Sequence, residues 1–480
     1  MLTRLRVKGF KNLRDVDLAF GPFTCIAGRN GAGKSNVFDA IALLSDLASY
    51  PLVRAATRVR GTEDRIAGIE ALFSRPVGSE GRRIEFKVEM VVPGEVTDDY
   101  DRQATPRATF LEYALELRYE PIRASTGREP LYIESESLVA KPSSRAASEL
   151  RFGPSKAWLK RHLHGPGARK GAFIDTRPAA QHGPSIQLHG DGRSGPPAPV
   201  PAHQAPQTVL SGVNTSSYPT VLAARREMQS WRQLQLEPTA LRMPDDFRDA
   251  SALSATGRHL PNTVLRCDSG NDVALRLSEL IPGIRTVRVD ADDKRQIHTL
   301  EVTMRDRQSY AASALSDGTL RFLALAVLAC DTSSGGLVCL EEPENGIHPS
   351  RVPQMMALVR SLAEQLEEET AEDEAPAARS PIRQVLINTH SPLVVAELVD
   401  DELLLAETLR SHNGEWVNFR PVSGTWRAKD LPVTRLVSRG ELAGYLDAQK
   451  LAGRRNPTTG SSMTLGAQWE QLTLDASTQL

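Results

Sequence analysis

Residues Gly28, Arg29, Asn30, Gly31, Ala32, Gly33, Lys34 and Ser35 match the phosphate-loop pattern G-x-x-x-x-G-K-[ST] in full. The apolar run Phe23 to Ala27 before them predicts a buried strand. Val37, Ala40, Ile41, Leu44 and Leu47 after them recur at helical spacing. A loop between a strand end and a helix start turns backbone N–H groups and the positive end of the helix toward an anion. Glycines let the backbone wrap closely around a β-phosphate, Lys34 offers a point charge to the β- and γ-phosphates, and the Ser35 hydroxyl takes a place on Mg²⁺. The expected ligands are therefore ATP and Mg²⁺, held in an α/β fold.

The rest of the chain sets limits on what surrounds this loop. Its 58 basic and 59 acidic side chains nearly cancel over 480 residues, so any nucleic-acid surface must be local. The four cysteines, Cys25, Cys267, Cys330 and Cys339, show no C-x-x-C spacing, and at least three lie in apolar segments. They read as core thiols of a reducing cytoplasm. No stretch is long and apolar enough for a membrane span or an export signal, so a cytoplasmic protein without a membrane partner is expected.

From Leu2 to Phe20 the apolar positions alternate twice, which predicts two half-buried antiparallel strands. Alternation returns between Ile84 and Val139, and predicts an antiparallel sheet flanking the nucleotide core. From Lys141 to about Pro219, Pro, Gly, Ser and His become frequent and periodicity fades; this is either a loop-rich insertion or partly disordered. Helices are expected around Val221 to Leu236 and Val273 to Leu280, strands at Thr286 to Val289 and Leu300 to Met304, and a solvated loop where seven carboxylates gather from Glu364 to Glu374.

Three further segments bear on the chemistry. Leu337 to Leu340 reads as a buried strand ending in Glu341 and Glu342, and an open α/β sheet places its ligands at such strand ends. Glu341 is assigned to the Mg²⁺ shell and Glu342 to polarising the attacking water. Val385 to Ile387 is another buried strand, and it leads to His390, placed to meet developing charge on a γ-phosphate. Between them Ser316 reads as a cap on the apolar helix Leu320 to Cys330, with Gly318 allowing close backbone approach.

Together, Leu5 to Asn12, Gly28 to Asn36, Leu315 to Gly318, Glu341 to Pro349 and Thr389 to Pro392 resemble the prokaryotic AAA-family ATPases with ABC-type heads, relatives of the RecF, SMC and OLD-type ATPases. The resemblance covers about residues 1–80 and 260–410. It implies a P-loop NTPase of ABC/SMC-head type, with a mixed sheet, a flanking antiparallel sheet, a helical lobe and a loop-rich basic insertion. It also implies that Arg29 to Ser35 with Asn36 bind the nucleotide. Ser316, Asp317 and Gly318 would complete the ATP site of a second protomer, Ser35 and Glu341 hold the metal, and Glu342 and His390 are catalytic. One departure is Glu341, where the wider class commonly has Asp. The glutamine loop of ABC heads has no counterpart that the sequence identifies.

The expected organisation is residues 1–140 and 221–410 as the two parts of the head, 141–220 as the insertion and 411–480 as an extension. The resemblance implies an ATP-dependent dimer, or higher even oligomer, that senses or acts on DNA in repair or anti-phage defence. The alternative is an ATP-bound scaffold that holds and inhibits a partner. The 90 residues after His390 show no cluster of acidic strand ends, so a separate effector polypeptide is expected rather than a built-in nuclease. A transporter subunit is disfavoured, since roughly 280 residues separate loop and signature. Residues 141–230 carry twelve Lys or Arg against four acids. That excess is either a salt-sensitive surface for DNA or a partner, or the charge of a solvated loop.

Overall fold

The computed structural model describes residues 1–452 except 63–65, 75–81, 122–129, 166–170, 179–182, 192–197, 251, 268–271, 282, 332–334, 364–381 and 412–413. The acidic run 364–374, residues 453–480 of the extension, and Arg169, Lys170 and Arg193 lie outside the described residues.

The chain opens with β1 (Leu2–Phe10) and β2 (Leu13–Ala19), an antiparallel pair that leads into β3 (Phe23–Gly28) and the helix Lys34–Leu47. Further along come β4 (Arg82–Val91), the short hairpin β5 (Val96–Thr97) and β6 (Gln103–Ala104), then β7 (Phe110–Tyr119) and β8 (Leu131–Ala140). Segment 141–220 contains long connections and the short helices Ser143–Glu149 and Lys156–His162. It also adds β9 (Ile174–Arg177), β10 (Ser185–Leu188) and β11 (Ala198–Pro201) to the edge of the antiparallel sheet, whose order is β11-β10-β9-β8-β7-β4-β1-β2. Those three strands have no long alternating pattern. They are recruited by pairing with β8 and with one another.

The helix expected over Val221 to Leu236 is shorter than the sequence suggests. It runs Pro219–Gln229, and the chain then extends into β12 (Arg232–Leu234). Next come the small sheet of β13 (Asp245–Asp246), β14 (Ile284–Asp292), β15 (Ile297–Met304) and β16 (Ser309–Ala311), and the helices Leu260–Cys267 and Asp272–Leu280. The helix Asp317–Cys330 precedes β17 (Gly336–Glu341), β18 (Arg383–Thr389), β19 (Leu403–Ser411) and β20 (Gly414–Pro421). The second sheet has the order β12-β17-β18-β3-β19-β20, and every pair in it except β19 with β20 is parallel.

Burial explains the difference in texture between the sheets. In the parallel sheet, Ile26, Leu337, Cys339 and Leu386 enter one hydrophobic core. Their neighbours Phe23, Cys25, Val338, Leu340, Val385 and Ile387 enter a second. A strand covered on both faces must be apolar throughout, whereas β1, β2, β4 and β7 bury alternate residues against one layer only. The first core joins the antiparallel sheet to the helices Lys34–Leu47 and Pro219–Gln229; the second holds the helices Asp317–Cys330 and Val352–Ser361.

Cys25 and Cys339 are buried, while Cys267 and Cys330 are half-buried against the second core. Residues Met1–Arg439 form one unit. The second, Gly440–Leu480, is described only through the helix Arg439–Ala452. Among the described residues no helix is long and apolar enough to cross a membrane.

Candidate functional site

β17, β18 and β3 lie side by side and parallel, with Glu341 in register with Asn388 and Asn388 with Ile26. Their C-terminal ends open together, beside the loop that leaves β3. This is where an open α/β sheet presents its ligand groups.

The helix Lys34–Leu47 starts from Gly33, which has φ 93°, and no side chain caps its first turn. The opening N–H groups of a helix can serve an anion when no side chain takes them. Gly33 is required twice over: its backbone is left-handed, and a Cβ there would sit 2.2 Å from Nδ2 of Asn12. Asn12, in the turn between β1 and β2, accepts a hydrogen bond from Asn36 Nδ2 at 2.7 Å and so braces the loop. Lys34 is 5% exposed and donates to the carbonyls of Gly28 (2.7 Å) and Arg29 (2.9 Å). Burial pushes its pKa down, against the opposing pull of Glu342 and Glu344. A buried cation beside an uncapped helix start suits a polyphosphate, so the residues present fit ATP.

Glu341 is gripped from two sides. Gln233 Nε2 on β12 donates to its Oε1 at 2.7 Å, and Arg60 donates to its Oε2 at 3.2 Å. The same guanidinium reaches Asp39 at 2.9 Å, and Lys11 Nζ holds the other Asp39 oxygen at 2.7 Å. Asn388 links the parts. Its Nδ2 points to Ser35 Oγ at 3.4 Å, and its Oδ1 accepts from the backbone N–H of Glu342 at 3.0 Å. An oxygen-rich pair such as Ser35 and Glu341 suits a hard cation like Mg²⁺.

Glu342 turns off the end of β17 with φ 43°, a left-handed backbone rare for a glutamate. Its Oε1 lies 2.8 Å from His390 Nδ1, and its Oε2 accepts from Asn345 Nδ2 at 2.8 Å. Burial alone would raise its pKa. The hydrogen bonds from Asn345 and His390, with the charges of His390 and Lys34, outweigh burial and hold the carboxyl below its usual range. Glu344 is the opposite case. It is 8% exposed, burial raises its pKa, and it accepts a hydrogen bond from Thr389 Oγ1.

Ser316 caps the helix Asp317–Cys330, accepting from Thr319 N at 3.2 Å. A Cβ on Gly318 would stand 3.0 Å from the carbonyl oxygen of Gly346, so the signature turn packs closely on the loop after β17. Arg242 donates to Leu315 O (2.9 Å) and Asp317 Oδ1 (2.6 Å). Ser316 and Asp317 are exposed, and their side-chain bonds here go to Thr319 and Arg242. The structure thus ties Ser35, Glu342 and His390 together through Asn388 and joins Glu341 to them through Arg60, which also donates to the Ser35 carbonyl at 3.4 Å; Lys34 and Asn36 flank Ser35 in the chain, and Gly318 packs on Gly346 with Ser316 and Asp317 just before it.

Residues 205–396 match the family model described as "AAA domain, putative AbiEii toxin, Type IV TA system", and residues 4–66 match one described as "AAA domain". The chain is 30% identical over 246 residues to a DNA replication and repair protein RecF of Anaeromyxobacter dehalogenans, covering 47% of this chain and 64% of that protein. It is 54% identical over 44 residues to an OLD nuclease of Thermus scotoductus, covering 9% of this chain and 8% of the nuclease. Two stretches of the chain are thus similar to AAA domains, and they contain the phosphate loop and the strand ends that carry Glu341 and His390. The chain spans less than two thirds of the length of either curated relative. Among solved structures, the chain is similar to an SMC head bound to the C-winged helix domain of ScpA (15% identity, 88% of this chain, 98% of that chain, TM-score 0.46). It is also similar to an SMC head domain from Thermotoga maritima (12% identity, 88% and 99%, TM-score 0.36).

Several residues of this site escape sequence reasoning. Gln233 falls where the sequence suggests a continuing helix, and Arg60 follows the loop helix with no pattern to mark it. Asn388 stands two residues before the singled-out histidine, and its position at a strand end was the available signal.

The basic excess of segment 141–230 is partly neutralised within the chain. Lys141 pairs with Glu89 and Glu149, Arg151 with Asp430, Arg177 with Asp175 and Arg226 with Asp99. Arg225 donates to the carbonyls of Ala48 and Val213. Arg145, Lys156 and Lys160 remain exposed on the two short helices.

Proposed function

We propose that this chain hydrolyses ATP at the site around Lys34 and that its ATP-bound copies pair, the exposed signature of each closing the phosphate loop of the other. We propose further that turnover is coupled to DNA and to a separately encoded effector. The observation that carries the reading is the convergence of Lys34, Ser35, Glu341, Glu342, Asn388 and His390 at the ends of three adjacent parallel strands.

In this reading Lys34 and the loop N–H groups bind the β- and γ-phosphates, and Ser35 and Glu341 hold Mg²⁺. When bound, Mg²⁺ neutralises charge on the phosphate oxygens. Glu342, held below the usual carboxylate range, is ionised at neutral pH and can only accept hydrogen bonds. It therefore orients the attacking water. Phosphoryl transfer through a loose transition state relies mainly on such positioning. The carboxylate also requires that His390 Nδ1 carry the hydrogen between them, which directs Nε2 away from Glu342 and toward an incoming group.

Signature residues left at the surface beside Gly346 motivate the pairing, since a two-fold arrangement would close two sites at once. The names of the RecF relatives motivate the DNA half, and Arg145, Lys156 and Lys160 are the candidate contacts. The test is ATP turnover with Mg²⁺, with and without duplex DNA, across a salt series. Turnover stimulated by DNA, with a stimulation that fades as salt rises and shrinks when the three residues are changed to Ala, is the expected result. Identical rates with and without DNA at every salt would overturn the DNA half and favour the holding scaffold. No hydrolysis under any condition would overturn the ATPase reading.

A further inference from the structure

The strap between the helix Pro238–Leu241 and the helix Leu260–Cys267 brings together three side chains that the nucleotide site does not use. Asp245 lies on β13, paired with His298 of β15. Asp249 follows in the next turn, its Oδ2 accepting from Asp246 N at 2.9 Å. His259 stands immediately before Leu260, with its carbonyl accepting from Thr263 N at 3.0 Å. One ligand atom from each of Asp245, Asp249 and His259 lies within 4.8 Å of the others.

Two atoms in this group are buried and lack a hydrogen bond. Asp245 is fully buried; its Oδ2 accepts from Asn262 N at 3.0 Å, but its Oδ1 has no hydrogen-bond partner among the described residues. Nδ1 of His259 is likewise buried without one. That nitrogen is 3.5 Å from Asp245 Oδ1 and 3.9 Å from Asp249 Oδ2. A charge-assisted hydrogen bond would bring such atoms to about 2.7–2.9 Å. Ligand atoms bonded at about 2.0–2.2 Å to a tetrahedral ion instead stand roughly 3.3–3.6 Å apart. The spacing is too wide for the first arrangement and close to that of the second. An orphaned carboxylate oxygen in a buried setting is also unfavourable unless a cation meets it.

We propose that Asp245, Asp249 and His259 bind a divalent first-row transition ion of the Zn²⁺ or Mn²⁺ class. Two carboxylates and one imidazole mix hard oxygen with borderline nitrogen, a set suited to these ions; Ca²⁺ and Mg²⁺ favour oxygen throughout. Water completes the coordination. The surroundings hold the ligands in place: Asn262 Nδ2 donates to the carbonyls of Asp246 (3.1 Å) and Asp249 (3.4 Å), and Asn262 Oδ1 meets His298 Nδ1 at 2.6 Å. Arg242 lies three residues before Asp245 and reaches Asp317 and Leu315 of the signature turn. An ion at this site therefore clamps the strap that presents Arg242 to the signature.

The full chain, stripped with a chelator and free of nucleotide, is titrated calorimetrically with Zn²⁺ alone and with Mn²⁺ alone. Uptake of about one equivalent of either ion is expected, weakened tenfold or more in Asp249→Asn and in His259→Asn. Asn tolerates the left-handed backbone that His259 adopts (φ 68°). Ser35→Ala, which removes the hydroxyl proposed for Mg²⁺, is expected to keep this equivalent. Reloading the stripped wild type is expected to raise its thermal midpoint, and this stands alone if a variant does not fold. No uptake of either ion with no midpoint shift, or uptake unchanged in both variants, would overturn the proposal and leave a plain Asp–His ion pair.

Discussion

Nδ1 of His390 lies 2.8 Å from Oε1 of Glu342, so a residue just past the end of β18 holds the carboxylate just past the end of β17. The backbone N–H of Glu342 is tied in turn to both oxygens of Asn388, the carbonyl at 3.1 Å and Oδ1 at 3.0 Å. The glutamate thereby keeps a left-handed backbone that would otherwise be unfavourable, and its carboxylate is fixed before any substrate arrives.

Glu342→Gln preserves size but replaces one acceptor oxygen with a donor, so it can no longer orient water as the carboxylate does. ATP hydrolysis is expected to fall about a hundredfold or more, with ATP affinity little changed and the paired, ATP-bound species accumulating. Single-turnover hydrolysis and light scattering measure the two effects. A wild-type rate would show that the carboxylate of Glu342 is not used. Lys34→Ala differs in kind, because it removes the charge facing the phosphates; its effect is expected in nucleotide affinity itself.

Gln233→Ala removes the neutral donor to Glu341 and leaves, among the described residues, the Arg60 guanidinium on that carboxylate. The carboxylate then swings toward the guanidinium. The Mg²⁺ concentration for half-maximal turnover is expected to rise about tenfold, with nucleotide affinity in the absence of Mg²⁺ unchanged. A Mg²⁺ titration superimposable on that of the wild type would remove Gln233 from the site.

If the signature acts across a pair, Ser316→Arg and Lys34→Ala proteins are each inactive alone, yet their mixed dimer retains one composite site. Mixing them is expected to restore part of the turnover, up to about a quarter of wild type if the copies exchange freely and each intact site works independently. An inactive mixture that forms dimers would place the signature in the site of its own chain.

Glu136 is fully buried between the Tyr113 hydroxyl and the N–H groups of Val209 and Leu210. Burial raises its pKa from 4.5 to about 7, more than those hydrogen bonds lower it. Between about pH 4.5 and 7 the folded protein keeps a proton that the unfolded chain has released. Stability contributed by this group therefore falls as pH rises through that window, by up to about 3 kcal/mol, and is flat outside it. Urea unfolding at several pH values is expected to show this slope, and Glu136→Gln is expected to flatten it. An equal slope in both proteins would show that Glu136 is ionised throughout.

The phosphate loop, its flanking strand and helix, the paired glutamates, the capped signature helix and the histidine strand were legible because each depends on neighbours a few residues away. A period of two or 3.6, a cap or a glycine-rich turn is written locally. Where a local signal is weak, reading fails: β9, β10 and β11 have short, mixed sequences and form only because the edge of β8 accepts them. β12 looks like the continuation of a helix, yet it extends because β17 offers a parallel partner.

The sequence by itself determined a phosphate loop between a strand and a helix of an α/β fold, and the residue types gathered around it. Only the tertiary structure decided who meets whom. Gln233 reaches Glu341 across 108 residues and Asn388 reaches Ser35 across 353, distances along the chain that no periodicity spans. The charge of segment 141–230 likewise changes meaning once Glu89, Asp99 and Asp430 arrive from outside it. The physical reason is common to these cases. Hydrogen bonds and ion pairs act over a few ångströms in space, and strand order, set by burial of two apolar cores against one sheet, determines which distant residues come within that range.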